Sequence, residues 1–145
     1  MKRTLSALVL LVLTATLVPA VHAESGCTDA TLTGSYSFNV SGWYPSVDKK
    51  GHLILPNSTI TNLVGTATFD GAGHFSTSFV SCNNGVCSKG GGKGPYSVKS
   101  DCSGKLKLGT GKNATPWTFA IANGGSQFYA METDVANVSG IGTKQ

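Results

Sequence analysis

The chain has 145 residues, of which 12% are charged, and a formal net charge of +4. Two of its eleven basic residues, Lys2 and Arg3, lie at the N-terminus, and the remainder contains no arginine and carries a net charge of +2. That charge is too small to indicate nucleic-acid binding, and without arginine there is no side chain for bidentate phosphate contacts. We therefore expect no nucleic-acid partner.

The N-terminus has the three parts of a secretory signal. Lys2 and Arg3 precede an uncharged, largely apolar stretch, and Val21-His22-Ala23 fits a cleavage site. The apolar core, about a dozen residues, is shorter than the roughly 20 residues of a membrane span. We predict a signal peptide, residues 1–23, and one secreted domain, residues 24–145, without a transmembrane segment. Lipoprotein processing at Cys27 is the alternative, although Glu24 stands where such sites have an aliphatic residue.

The segment after the signal peptide is poor in helix formers and rich in short runs of alternating apolar and polar residues, which are typical of β-strands. In chain order these runs lie at 36–40, 63–69, 75–79, 96–98, 105–108, 117–122, 128–131 and 138–142. Turns rich in Gly and Asx connect them, and such short connections join antiparallel neighbours. We predict an all-β antiparallel meander of about eight strands that closes into an up-and-down barrel. A two-sheet sandwich is the alternative.

The four cysteines are an even number, so two disulfides are expected in an oxidising compartment, with three possible connectivities. Cys82 and Cys87 bracket an Asn-Gly pair, the strongest short hairpin signal. A local disulfide there would staple a hairpin and leave Cys27 to pair with Cys102. The alternative is a metal site, but no histidine has a matching spacing. We therefore predict no metal and no cofactor.

Three motifs resemble those of a broad group of exported bacterial small all-β proteins. They are G-x-Y-x-F at 34–38, F-D-G-x-G at 69–73 and Y-x-V-x-x-D-C-x-G at 96–104. All three are strand and turn motifs, and the group has no established activity, so the resemblance implies a fold and no functional residues. In the group the cysteine before the first strand and the one in the Asp-Cys-x-Gly turn occur together. The resemblance therefore supports the pairing of Cys27 with Cys102.

No catalytic motif is recognisable in the sequence. The glycine-rich segment 89–94 lacks the spacing of a phosphate-binding loop, and we expect it to be a flexible loop at the mouth of the fold. His74 follows a tight turn and is expected to be solvated. Asp70 and Asp101 lie within turns, where aspartate carboxylates bind nearby backbone amides.

Four residues are candidate ligand contacts: Trp43, Tyr44, Trp117 and Glu132. Trp43 and Tyr44 follow the first strand and could form an exposed aromatic contact, although Trp43 could equally plug one end of the barrel. Glu132 points inward only if Phe128 does. If the strand ends before Glu132, which we expect, the carboxylate lies at the rim.

The absence of catalytic motifs favours a non-catalytic binding module, for a small amphipathic ligand or an extracellular protein or glycan. Small barrels can hold one small ligand. One alternative is an isomerase or cyclase that shapes an apolar substrate in the barrel. Another is an inhibitor of a secreted hydrolase that inserts the segment between Cys82 and Cys87. An open cavity with an inward Glu132 or His74 would favour catalysis, whereas a filled core would move function to the loops.

Overall fold

The computed structural model describes residues 26–46, 48–50, 52, 54, 58–134 and 136–145. The predicted signal peptide, residues 1–23, lies outside them. Eight antiparallel strands form one closed barrel in sequence order. The strands are β1 (Thr33–Tyr44), β2 (Thr59–Asp70), β3 (His74–Asn83), β4 (Val86–Val98), β5 (Ser103–Leu108), β6 (Thr115–Ala122), β7 (Gln127–Glu132) and β8 (Asn137–Lys144). The predicted up-and-down barrel is confirmed, and the sandwich alternative is wrong.

An aromatic plug fills the closed end of the barrel, where β1 begins. Its members are Tyr36, Phe69, Phe75, Tyr96, Phe119 and Phe128, all buried. Phe69 lies at the centre, with ring centroids 5.1 Å from Tyr96 and 5.6 Å from Phe128. Leu32, which follows a short 3-10 turn at Asp29–Thr31, is fully buried, and its carbonyl accepts a hydrogen bond from the Tyr96 hydroxyl at 2.9 Å. The N-terminal turn therefore covers this end.

Glycines on the inner face make room for the large rings of the plug. A Cβ on Gly104 would overlap the Phe119 ring, and a Cβ on Gly142 would overlap the Phe128 ring. Each glycine lies directly opposite its aromatic partner on the neighbouring strand. Because a barrel of about eight strands is only just wide enough for its side chains, large residues on one strand require small ones on the next.

The glycine-rich segment 89–94 is not the loop that we expected. It lies within β4 and pairs in regular register with residues 75–80 of β3. The glycines are needed by the packing of the sheet, since a Cβ at Gly90 would lie 2.5 Å from the Phe79 ring and one at Gly92 would lie 2.8 Å from Leu108. The prediction was wrong because glycine composition favours loops, whereas here the missing side chains fit large neighbours.

Both predicted disulfides are present. Cys27 is bonded to Cys102 across 75 residues and ties the N-terminal segment to the β4–β5 turn. Cys82 is bonded to Cys87 across the tip of the β3–β4 hairpin. Two disulfides indicate that the domain folds in an oxidising compartment. Among the described residues, no helix combines the length and apolar character that a membrane crossing requires.

Candidate ligand site

A partly open apolar cavity of about 70 Å³ lies inside the barrel, above the aromatic plug. Phe69, Phe75 and Phe128 of the plug contribute to its floor. Its walls include Phe38, Val40, Leu63, Phe79, Leu106, Leu108, Trp117 and Ala130. For comparison, an engineered apolar cavity of about 150 Å³ binds benzene. The barrel interior is thus mostly filled, with room for one short apolar group.

The burial pattern of β7 shows which of its side chains face into the barrel, from the closed end to the open end, where β1 and β7 finish. Phe128 and Glu132 are only 6% and 5% exposed, whereas Tyr129 between them is 53% exposed. Phe128 therefore points inward and Tyr129 outward. β7 ends at Glu132, so this residue does lie at the open end of the barrel, but its side chain is directed inward and is buried, which we did not expect.

Tyr44, which is half-buried, and Glu132, which is buried, form a polar contact near the cavity. The Tyr44 hydroxyl donates a hydrogen bond of 2.8 Å to Glu132 Oε2. Burial raises the pKa of the Glu132 carboxyl, an effect partly opposed by this hydrogen bond and reinforced by the nearby charge of Asp134. Burial and the carboxylate together raise the pKa of Tyr44. The hydroxyl proton therefore stays on Tyr44, and Glu132 is protonated at a higher pH than an exposed glutamate.

Trp117 adds an unpaired hydrogen-bond donor. It lies directly opposite Glu132 in the β6–β7 pair and lines the cavity. Its indole Nε1 is buried, and no group within the described part of the chain accepts a hydrogen bond from it. A buried donor without an acceptor costs about 1–3 kcal/mol. Tyr44, Trp117 and Glu132 form what we call the polar cluster, beside an otherwise apolar cavity.

The remaining candidate residues lie elsewhere. Trp43 is half-buried, and strand alternation places its side chain on the outer face of β1, whereas that of Tyr44 points inward.

The His74 side chain is 75% exposed, and its Nδ1 lies 3.3 Å from Oδ2 of Asp70. The Asp70 carboxylate accepts hydrogen bonds from the amides of Ala72 and His74 at 2.7 and 2.9 Å, as expected for a turn residue. His74 is therefore a solvated strand-end residue.

The turn at Asp101 behaves in the same way. Its carboxylate accepts hydrogen bonds from the amide and the hydroxyl of Ser103 at 2.9 and 2.6 Å. Both hydrogen bonds lower the pKa of the Asp101 carboxyl, and the one from the hydroxyl has the larger effect. Over the part of the chain that the structure covers, histidine, cysteine and acidic residues form no group suited to a metal ion.

Sequence reasoning missed the contact between Tyr44 and Glu132. The two residues are 88 positions apart and meet only because β8 lies between β7 and β1 in the closed barrel. It also missed Thr61, which is 2% exposed and lies opposite Gly42 near the open end. The only sequence signal for Thr61 is its position two residues before Leu63, which places both side chains on the inward face of β2.

Comparisons with known proteins identify no relative of this chain. No protein-family model, no curated protein and no solved structure matches it. The resemblance to exported small β proteins therefore stays a prediction, and the chemistry of the site is judged from its own residues.

Proposed function

We propose that this domain is a non-catalytic binding module that holds a small amphipathic ligand in its barrel. The observation that carries the proposal is an apolar cavity lined by Trp117, whose buried indole N–H has no acceptor among the described residues. A ligand with a short apolar chain and a hydrogen-bond acceptor, such as a carbonyl or hydroxyl oxygen, would fill the cavity. Because the indole nitrogen is buried in the structure, the Trp117 ring would have to rotate for its N–H to pair with that acceptor. Pairing a buried donor removes the cost of leaving it unsatisfied.

The polar cluster also indicates how such a ligand would be oriented. Its apolar part would lie on Phe69 and Phe128 of the plug, and its polar atom would lie toward Trp117 and the open end. Sites of this kind are predominantly apolar, with few polar groups that fix orientation. We further propose that binding takes place after export, in the periplasm or outside the cell, in keeping with the predicted signal peptide and the two disulfides.

A second candidate is an isomerase or cyclase that uses Glu132 as an acid or base. The buried carboxyl with its raised pKa favours this function. However, none of the described residues that line the cavity is titratable, and Glu132 is not among them. The carboxyl is also already hydrogen-bonded to Tyr44. A binding role needs only the groups that line the cavity, so we favour it.

Titration with 2-pentanone, followed by NMR of the indole N–H signals, tests the proposed site. Pentane serves as the matched ligand, of similar chain length and without an acceptor. We expect 2-pentanone to shift the Trp117 indole signal and to leave that of Trp43, on the outer face, unchanged. Pentane should bind more weakly and leave the indole signal near its free position.

Ala130→Leu is the variant that should abolish binding, because Ala130 lines the cavity and a larger side chain would fill it. Met131→Leu is its control, because Met131 is next in sequence but 48% exposed on the outer face. Equal shifts of Trp43 and Trp117, or binding that survives Ala130→Leu, would refute the proposed site. If the protein converts a cyclisable substrate and Glu132→Gln abolishes this activity, the isomerase or cyclase function is favoured instead.

A further inference from the structure

The β4 strand is paired on both sides over only part of its length. It pairs with β3 as far as Val86, but with β5 only over Tyr96–Val98. One further hydrogen bond, from Gly109 N to Lys93 O at 3.1 Å, extends the contact with the β5 side. Residues 86–91 are all exposed, and no described backbone group pairs with their outer side. We call the outer side of residues 87–91 the free edge.

The hairpin turn determines which backbone groups point toward the free edge. Asn84 and Gly85 have φ of 47° and 85°, as in a two-residue type I′ turn, so Asn83 and Val86 form a hydrogen-bonded pair. Bonded and non-bonded pairs alternate along antiparallel strands. The residues that direct their N–H and C=O groups toward the free edge are therefore Cys87, Lys89 and Gly91.

Two contacts support this assignment. Lys93 is the next residue in the same series, and its carbonyl does point away from β3, since it accepts the hydrogen bond from Gly109. The Cα atoms of Cys82 and Cys87 are 3.9 Å apart, in keeping with the closer approach of non-bonded pairs. The six N–H and C=O groups of Cys87, Lys89 and Gly91 thus have no strand partner at the free edge among the described residues.

The surroundings of the free edge are basic. Lys89 and Lys93 lie on β4, Lys107 lies on β5, and Lys112 follows in the β5–β6 connection. All four are exposed, and none forms an ion pair with a described residue. The only acidic residue between positions 86 and 114 is Asp101, which lies in the turn at the closed end.

We propose that the free edge binds an extended acidic segment of another protein, which adds to the barrel as a strand beside β4. Unpaired strand edges are templates for such pairing, and added peptide strands are a common mode of recognition. Five residues of β4 span about 17 Å, so a segment of similar length would pair with Cys87, Lys89 and Gly91. Glutamate or aspartate side chains on that segment would lie near the lysines.

A second copy of this chain is a poorer occupant than an acidic segment. Antiparallel pairing of two free edges centred on Lys89 would place the two Lys89 side chains opposite each other. Pairing centred on Gly91 would place Lys89 opposite Lys93. Like charges directly opposite each other on neighbouring strands are destabilising.

Hydrogen exchange with a probe peptide tests the proposal. Without peptide, the amides of Cys87, Lys89 and Gly91 should exchange rapidly, whereas those of Ser88 and Gly90, bonded to β3, should be protected. A blocked peptide of alternating valine and glutamate should protect the first three amides. The same peptide with lysine in place of glutamate should bind at least about tenfold more weakly, a preference that falls with added salt.

Two variants at Lys89 separate backbone pairing from charge. Lys89→Ala removes the charge and keeps the amide, so binding should weaken. Lys89→Pro removes the amide as well, without removing a hydrogen bond to β3, and should abolish binding. Lys99→Ala, beyond the end of β4, is the matched control and should bind normally.

Several results would overturn the proposal: equal binding of the acidic and basic peptides, protection confined to the tip residues Asn84 and Gly85, or concentration-dependent dimers in place of peptide binding. The proposal would also be overturned if the Lys89→Pro variant folds and still binds the acidic peptide. If this variant does not fold, the exchange pattern of the unmodified chain decides, because slow exchange at both Lys89 and Gly91 without peptide contradicts a free edge.

Discussion

The hydroxyl of Tyr44, at the end of β1, donates a hydrogen bond of 2.8 Å to Oε2 of Glu132, at the end of β7. Glu132 is 5% exposed and lies opposite Trp117 in the β6–β7 pair. The contact joins the first and seventh strands across the open end of the barrel. It therefore couples the ionisation of one buried carboxyl to the stability of the closed barrel.

We expect Glu132 to lower the stability of the domain as the pH rises. Burial raises its pKa above that of an exposed glutamate. In the interval between the two pKa values the folded state binds more protons than the unfolded state, so the free energy of unfolding falls with increasing pH. The contribution of Glu132 is fully present below about pH 4, where both states are protonated, and is lost as the pH rises through the raised pKa.

Urea denaturation at pH 4 and pH 7 measures this effect. Glu132→Gln should be more stable relative to the unmodified protein at pH 7 than at pH 4. Tyr44→Phe should steepen the loss of stability with pH, because the hydrogen bond that lowers the pKa of Glu132 is removed. Asp101 supplies a control of opposite sign, since its pKa is lowered and its contribution is lost as the pH falls. A Glu132→Gln variant with the same pH dependence as the unmodified protein would contradict the assignment.

Phe128 should contribute far more to stability than its neighbour Tyr129. Phe128 packs against Phe69 and Tyr36 in the plug, whereas Tyr129 is 53% exposed. Phe128→Ala should cost about 3–5 kcal/mol, through lost burial and the cavity left behind. Tyr129→Ala should cost less than about 1 kcal/mol. Chemical denaturation measures both, and a larger loss for Tyr129→Ala would mean that β7 faces the other way.

The barrel could be predicted from the sequence because its determinants are local. Period-two runs and turns such as 70–73 and 123–126 identify strands and hairpins without knowledge of the rest of the fold. Strand alternation also showed that Glu132 and Phe128 lie on the same face of β7, but it did not show whether that face points inward. That depends on how the ring of Phe128 packs against Gly142 on β8.

The polar cluster and β4 were harder to predict, for different physical reasons. Tyr44 and Glu132 meet only through closure of the barrel, and no local pattern specifies a contact between strands distant in sequence. Segment 89–94 has the composition of a loop, yet its glycines permit Phe79 and Leu108 to lie over the strand. Tertiary packing decided its conformation against its local propensity.

The disulfide from Cys27 to Cys102 should stabilise the domain more than the one from Cys82 to Cys87. The sequence separations are 75 and 5 residues, and in the chain-entropy model the stabilisation increases with loop length, to about 4.5 and about 2 kcal/mol respectively. Replacing each cysteine pair by serine and measuring thermal denaturation compares them. The model would be contradicted if loss of the local disulfide cost as much as loss of the long-range one.

The inner glycines provide the last prediction, because two of them meet aromatic rings in different surroundings. The three atoms nearest to a Cβ on Gly142 all belong to the Phe128 ring, whereas a Cβ on Gly104 would also lie 2.7 Å from the backbone oxygen of Ser97. Neither glycine has a positive φ, so alanine is disfavoured there by packing rather than by backbone conformation. Overpacking of this kind costs about 1–3 kcal/mol.

A smaller partner should therefore rescue Gly142→Ala more fully than Gly104→Ala. Phe128→Leu frees the space that the new methyl group of Gly142→Ala needs. The double variant should therefore lose less stability than the two single variants together, by about 1 kcal/mol or more. Phe119→Leu relieves only part of the overlap at Gly104, because the Ser97 carbonyl stays in place. Double-mutant cycles from urea denaturation measure both couplings. Equal coupling energies at the two sites would show that the Ser97 backbone shifts to accommodate a methyl group as easily as an aromatic ring does. That result would contradict the packing described above.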